Sequence, residues 1–227
     1  MPKIESHRRV NDILLGPLER PALRWLAAHM PAWMNSDILT CIGIFGALVI
    51  FAGYSLTNID KGFLWLASLG IVINWFGDSL DGTLARYRHK ERPRYGFFVD
   101  HTVDAFNEMV IFLGLGLSPY VSFNIASLAL IAYLLLSVLV YVQTCVVGEF
   151  KISYGKLGPT ELRAIVVIAN TLIFYFGNPA YPVSIAGMDE FVLTLFDIVA
   201  IAVTIILLLI FIVSSTRQAI ALAKLGE

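Results

Sequence analysis

The stretch GDSLDGTLARYRHKERPRYGFFVDHTVDAFNE, residues 77–108, holds four aspartates in an otherwise apolar neighbourhood: Asp78, Asp81, Asp100 and Asp104. Their spacing puts them on two helical stripes. Asp78, then Asp81 or Gly82, then Ala85 follow i, i+3/i+4, i+7, and Gly96, Asp100 and Asp104 follow i, i+4, i+8. Each stripe therefore carries two carboxylates and at least one small residue that lets a ligand or a second helix come close to the backbone. A carboxylate at the centre of a membrane helix costs roughly 3 kcal/mol, and the surrounding sequence has too few cations to neutralise four. Two facing carboxylate pairs suit hard, oxygen-seeking cations such as Mg²⁺ or Mn²⁺, with coordination positions left for phosphate oxygens. A pyrophosphate-bearing substrate is the natural third partner.

The elements that must position these stripes are membrane spans. The 227 residues are 58% hydrophobic and 15% charged, with a mean hydropathy of +0.77, too apolar for a soluble domain. Six stretches are long enough to cross a hydrocarbon core about 30 Å thick. They begin near Asp37, Phe63, Gly96, Phe123, Pro159 and Val192. Before them, Val10 to Met30 alternates apolar groups with arginines at helical intervals, which predicts an amphipathic helix lying in the interface. The expected fold is thus an all-α integral membrane protein, six transmembrane helices preceded by an interfacial amphipathic helix. One domain covers 1–227, with residues 1–34 cytoplasmic or interfacial and 35–227 forming the bundle.

Lysines and arginines orient it. Lys3, Arg8, Arg9, Arg20 and Arg24 precede the first span, and Arg86, Arg88, Lys90, Arg92 and Arg94 follow the second. Lys151 and Lys156 follow the fourth, and Arg217 and Lys224 close the chain, whereas the opposite connections carry only Lys61. By the positive-inside rule both termini and the acidic site are cytoplasmic. A net charge of -1 gives no argument for a nucleic-acid partner, which needs a broad basic face, and that class is set aside. Cys41 and Cys145 sit in apolar runs without metal-ligand spacing. The N-terminus lacks the apolar run and cleavage site of a signal peptide, so the chain is expected to stay whole.

Asp78-x2-Asp81-Gly82-x2-Ala85-Arg86-x9-Gly96-x3-Asp100-x3-Asp104 resembles the signature of the CDP-alcohol phosphotransferases, membrane enzymes of phospholipid synthesis. The resemblance extends to the six-span layout. It implies transfer of a substituted phosphate from a CDP-linked donor to an alcohol with release of CMP, two Mg²⁺ or Mn²⁺ ions, and a homodimer in the membrane lipids. Residue by residue, it implies that Asp78, Asp81 and Asp100 hold the metals, that Asp104 joins them as general base, and that Asp81, Gly82, Ala85, Arg86 and Gly96 frame the nucleotide. Two features depart from the pattern. The interval between Arg86 and Gly96 is at or slightly beyond the usual length. Ser36-Asp37-x2-Thr40 stands where the family has Pro-Asn-x-x-Thr, which keeps Thr40 as a nucleotide contact and puts Asp37 outside that role.

Other polar residues divide between site and scaffold. Glu108 continues the Asp100, Asp104 stripe and either lines an acceptor pocket or hydrogen-bonds inside the bundle. Glu161 and Arg163, opening the fifth span, are expected at that acceptor pocket. Arg88, Lys90, Arg92 and Arg94 are read as topological, and His101 and Asp197 as packed structural residues. A compact chain favours CDP-diacylglycerol as donor and a small alcohol as acceptor. The alternatives are a choline/ethanolamine-type phosphotransferase with a soluble CDP-amino alcohol and a lipid acceptor, or, from another class, a divalent-cation transporter.

Overall fold

The computed structural model describes residues 8–10, 14–151, 158–184 and 191–224, with side chains assigned within 14–148, 158–184 and 192–224. Lys3 and Lys156, used above to orient the chain, lie outside the described residues, and the side chains of Arg8, Arg9 and Lys151 lie outside them too.

Among the described residues, seven helices carry the fold: α1 (Gly16–His29), α2 (Ser36–Leu56), α3 (Phe63–Tyr87), α4 (Pro93–Gly116), α5 (Phe123–Val147), α6 (Pro159–Phe176) and α7 (Leu195–Lys224). This is an all-helical membrane protein, as the hydrophobic runs predict. α2, α3, α5, α6 and α7 are long and apolar enough to cross a membrane. α4 has 24 residues, but its charged and polar positions keep it out of that set.

Local chemistry explains the boundaries. α2 starts where the Asn35 side chain accepts the Ile38 N–H at 2.9 Å, and α4 and α6 start on Pro93 and Pro159, where a missing N–H costs nothing. α5 ends at Gly148, whose φ of 78° suits glycine. α1 begins later than the periodicity predicts, at Gly16 and Pro17. The all-α expectation also omits two short pairings. Strand β1 (Arg8–Val10) runs parallel to β2 (Glu149–Lys151), and β3 (Ala180–Val183) pairs antiparallel with β4 (Phe191–Thr194).

α2 and α3 meet at backbone distance, and this contact sets the site. A Cβ on Gly77 would lie 2.5 Å from the Leu39 carbonyl oxygen and 2.7 Å from Gly43 Cα. On Gly46 it would lie 2.7 Å from Asn74 Cα, and on Gly70 2.7 Å from the Ile50 nitrogen. Small residues at such a seam allow close packing where lipid gives helices no hydrophobic reason to associate. Asn74 reinforces it by donating to the Gly43 carbonyl at 3.0 Å.

Two buried apolar clusters flank the seam. One comprises Leu23, Ala27, Met34, Leu39, Leu80 and Leu84 beneath α1, and the other Ile50, Tyr54, Leu64, Ala67, Ile71, Tyr120 and Ile173 toward the opposite end. Within the second, Tyr54 donates to Asn170 at 3.0 Å and Asn170 to Ser68 at 3.1 Å, tying α2, α6 and α3 together. Asp197 is the buried anchor expected of a structural residue. It accepts from the Ser122 and Thr194 backbone N–H groups at 2.7 and 3.0 Å and so fixes the start of α7.

Candidate active site

The α2/α3 seam delivers Asp78 and Asp81 to the end of the bundle where α4 brings Asp100 and Asp104. One carboxylate oxygen from each of Asp78, Asp100 and Asp104 lies within 4.8 Å of the others. The three close a cavity of about 10 Å³ lined also by Thr40, Gly43, Asp81, Val103 and Asn107. That is room for one water-sized body. The predicted stripes therefore do face one another.

Asp81 borders the cavity but stands outside the tight trio because its oxygens are already directed. Thr40 Oγ1 donates to one of them at 2.8 Å and the Gly82 N–H donates to the other. Ser36 holds the Asp81 carbonyl at 2.9 Å. Thr40, expected as a nucleotide contact, thus first orients a carboxylate. Gly82 has the tip of Arg86 beside it, and the Arg86 guanidinium donates to Thr83 Oγ1 at 3.2 Å. A Cβ on Gly96 would meet nothing within 4 Å, so open space adjoins that position.

The donor set fits a hard divalent ion. It consists of carboxylate oxygens that would otherwise repel one another at short range. Beside it is Asn107, 5% exposed, whose Oδ1 has no hydrogen-bond partner although it is buried against the cavity. A buried acceptor without a donor is costly, and a hydrated cation supplies what it lacks. Asn107 was missed in the sequence, although it stands three residues after Asp104 on the same stripe.

Arg163 reaches the cluster from α6 and pairs with Asp78 at 2.6 Å through Nη2, while its buried Nη1 has no partner. Glu108 is hydrogen-bonded with the Tyr133 hydroxyl of α5, and its buried Oε2 is also without one. Glu108 and Arg163 therefore sit together next to Asp104, close enough for their charges to act on it.

Glu161 is placed differently from the expected acceptor pocket. Both of its oxygens accept backbone N–H groups, Leu15 at 2.7 Å and Gly158 at 2.9 Å, so it joins the start of α1 to the start of α6. Glu19 makes the neighbouring tie, accepting from Trp75 of α3 at 2.9 Å and Thr160 of α6 at 2.7 Å. Nothing in the sequence pattern singled out Glu19. Glu161→Ala is expected to lower stability by about 3–6 kcal/mol, the scale of two hydrogen bonds to a charged group at about 1.5–3 kcal/mol each, read as an earlier thermal unfolding in detergent. An unchanged midpoint with a raised KM for the acceptor would return Glu161 to the pocket.

The basic loop is partly structural. Arg88 donates to the carbonyls of Met30 at 3.0 Å, Pro31 at 2.9 Å and Met34, pinning the link between α1 and α2. Arg92 pairs with Asp37 and lies over the Tyr95 ring, its guanidinium carbon 4.0 Å from the ring centroid. His101 stacks on Phe97 at 4.1 Å and meets Tyr141 edge-on at 4.9 Å, the packing expected of it.

Residues 33–206 match the CDP-alcohol phosphatidyltransferase family. The chain belongs to that family. It is 35% identical over 92 residues to the phosphatidylinositol phosphate synthase of Cutibacterium acnes, a match covering 40% of this chain and 41% of that protein. Against cholinephosphotransferase 1 of Gallus gallus the identity is 25% over 204 residues, 82% of this chain and 58% of the relative. The archaetidylinositol phosphate synthase of Methanothermobacter thermautotrophicus is 27% identical over 154 residues, 64% of this chain and 70% of that one. The matched stretches span about half the length of the first two relatives.

Proposed function

We propose that this chain transfers a phosphatidyl group from CDP-diacylglycerol to a small alcohol, releasing CMP, in phospholipid synthesis. The observation that carries this reading is the convergence of Asp78, Asp100 and Asp104 on one small cavity bordered by Asp81, in a chain of this family. Four aspartates meet there against a single guanidinium, that of Arg163, and this surplus of carboxylate oxygens suits two Mg²⁺ or Mn²⁺ ions. Asp78, Asp81, Asp100 and Asp104 would hold the ions. When bound, they supply Lewis-acid polarisation of the donor's phosphate and neutralise charge growing on CMP.

The residues do the rest. Thr40 keeps Asp81 turned toward the site, and its oxygen retains acceptor capacity toward a nucleotide. Gly82, Ala85, Arg86 and Gly96 frame the cytidine diphosphate, with the open space beside Gly96 as support. Asp104 takes the proton of the acceptor hydroxyl. The alcohol oxygen then bonds to the phosphorus that bears the diacylglycerol, the bond from that phosphorus to the CMP oxygen breaks, and CMP departs with its electron pair. Glu108 and Arg163, each with an unsatisfied atom next to Asp104, form the acceptor side, and Glu161 supports it from behind.

In the membrane, residues 1–227 form one domain. α4, about 36 Å long at 1.5 Å per residue, is the sixth crossing, both termini and the site are cytoplasmic, and the protein is a homodimer. The relatives' names point two ways, to phosphatidylinositol phosphate and to choline phosphotransfer, so the donor is the decisive variable. Purified protein with Mg²⁺ or Mn²⁺ is expected to release CMP from CDP-diacylglycerol when offered a panel of small alcohols. Release only from CDP-choline or CDP-ethanolamine with a lipid acceptor would establish the other assignment. A divalent-cation carrier gives no CMP from any pair.

A further inference from the structure

The Arg163–Asp78 pair is an unusual neighbour for a metal site. Asp78 is one of the three carboxylates that meet within 4.8 Å, yet one of its oxygens is held at 2.6 Å by a guanidinium from a different helix. Both side chains are about four-fifths shielded. The other guanidinium nitrogen, Nη1, is buried without a partner. Removing a charged partner from a buried pair normally leaves an uncompensated charge, but here the uncompensated charge would belong to a cluster that takes up cations.

We infer that Arg163 is a built-in counter-ion that competes with the divalent ion for Asp78, holding the acidic cluster together before the ion arrives and limiting how tightly it is kept. This rests on the reading of the cluster as a metal site. The positive charge of Arg163 opposes any cation bound by Asp78, and at a few ångströms in a protein interior that repulsion exceeds a tenfold effect on affinity. Its geometric grip does the opposite for turnover. With one Asp78 oxygen fixed by Nη2, the other is presented in a single orientation, so Arg163 acts as a positioning residue working through Asp78. The grip is itself supported from α1, because Glu161 and Glu19 tie the first turn of α6, two to three residues before Arg163, to the α1 end.

The two effects separate in one experiment. Mn²⁺ affinity is measured by calorimetry on detergent-purified wild type, Arg163→Gln and Arg163→Lys, with CMP release measured on the same samples. Arg163→Gln is expected to bind Mn²⁺ about tenfold tighter or more while turning over at least tenfold more slowly. Arg163→Lys keeps the charge and is expected to restore wild-type affinity. A purely structural role predicts weaker binding in Arg163→Gln, and that result, or an unchanged affinity, overturns the inference. If wild type binds Mn²⁺ but releases no CMP from any donor, the phosphotransfer reading fails while the affinity comparison still decides the role of Arg163. If wild type binds no divalent ion, both fail.

Discussion

Asp104→Asn is expected to lower CMP release by about 10²- to 10⁴-fold, the range associated with loss of a positioned general base, while cytidine nucleotide still protects the protein thermally with Mg²⁺ present. The substitution keeps the shape of the side chain and one acceptor oxygen. It removes the basic oxygen that stands within 4.8 Å of those of Asp78 and Asp100. Asp78 and Asp81 on α3 are untouched, so the nucleotide side of the cavity stays formed. Near-normal turnover would remove Asp104 from the base role, and loss of nucleotide protection would make it chiefly a metal ligand.

Gly77→Ala is expected to cost more than about 3 kcal/mol, beyond the usual range for overpacking, because the atoms met by the new methyl are backbone. The Leu39 carbonyl oxygen and Gly43 Cα cannot turn aside as a side-chain tip can, so α2 and α3 must separate. Asp78 follows Gly77 directly and moves with it. Thermal unfolding in detergent should show a markedly earlier transition, together with weaker Mn²⁺ binding. Gly96→Ala is the informative contrast. No atom lies within 4 Å of its added methyl, so its stability should be unchanged and only nucleotide affinity should fall. A stable Gly77→Ala protein would show that the seam has slack, and an unstable Gly96→Ala protein would show that Gly96 serves the fold rather than a ligand.

Much of this arrangement is legible in the sequence because it is periodic. Asp78 with Asp81, and Asp100 with Asp104, declare their helix faces by spacing, and the starts of α3, α5 and α6 coincide with the predicted Phe63, Phe123 and Pro159. What spacing does not carry is which face meets which. The bond from Arg163 to Asp78 and the bond from Thr40 to Asp81 depend on how α6 and α2 are docked on α3. Glu161 illustrates the limit. A carboxylate opening a membrane span reads as a ligand group, but its position three residues after Gly158 equally suits a helix cap, and backbone N–H groups occupy both of its oxygens. Glu19 carries no motif at all, and its partners are on α3 and α6.

The partner of Asp78 is made 85 positions after it. At about 5–20 residues per second, the ribosome takes roughly 4–17 s to go from Asp78 to Arg163. Through that interval the acidic stripe of α3 lacks the guanidinium that holds Asp78 in the finished fold. The nascent chain must therefore shelter those carboxylates by keeping them at the headgroup level, by proton uptake, or by early capture of a cation, and α6 completes the bundle last among the helices that supply the site.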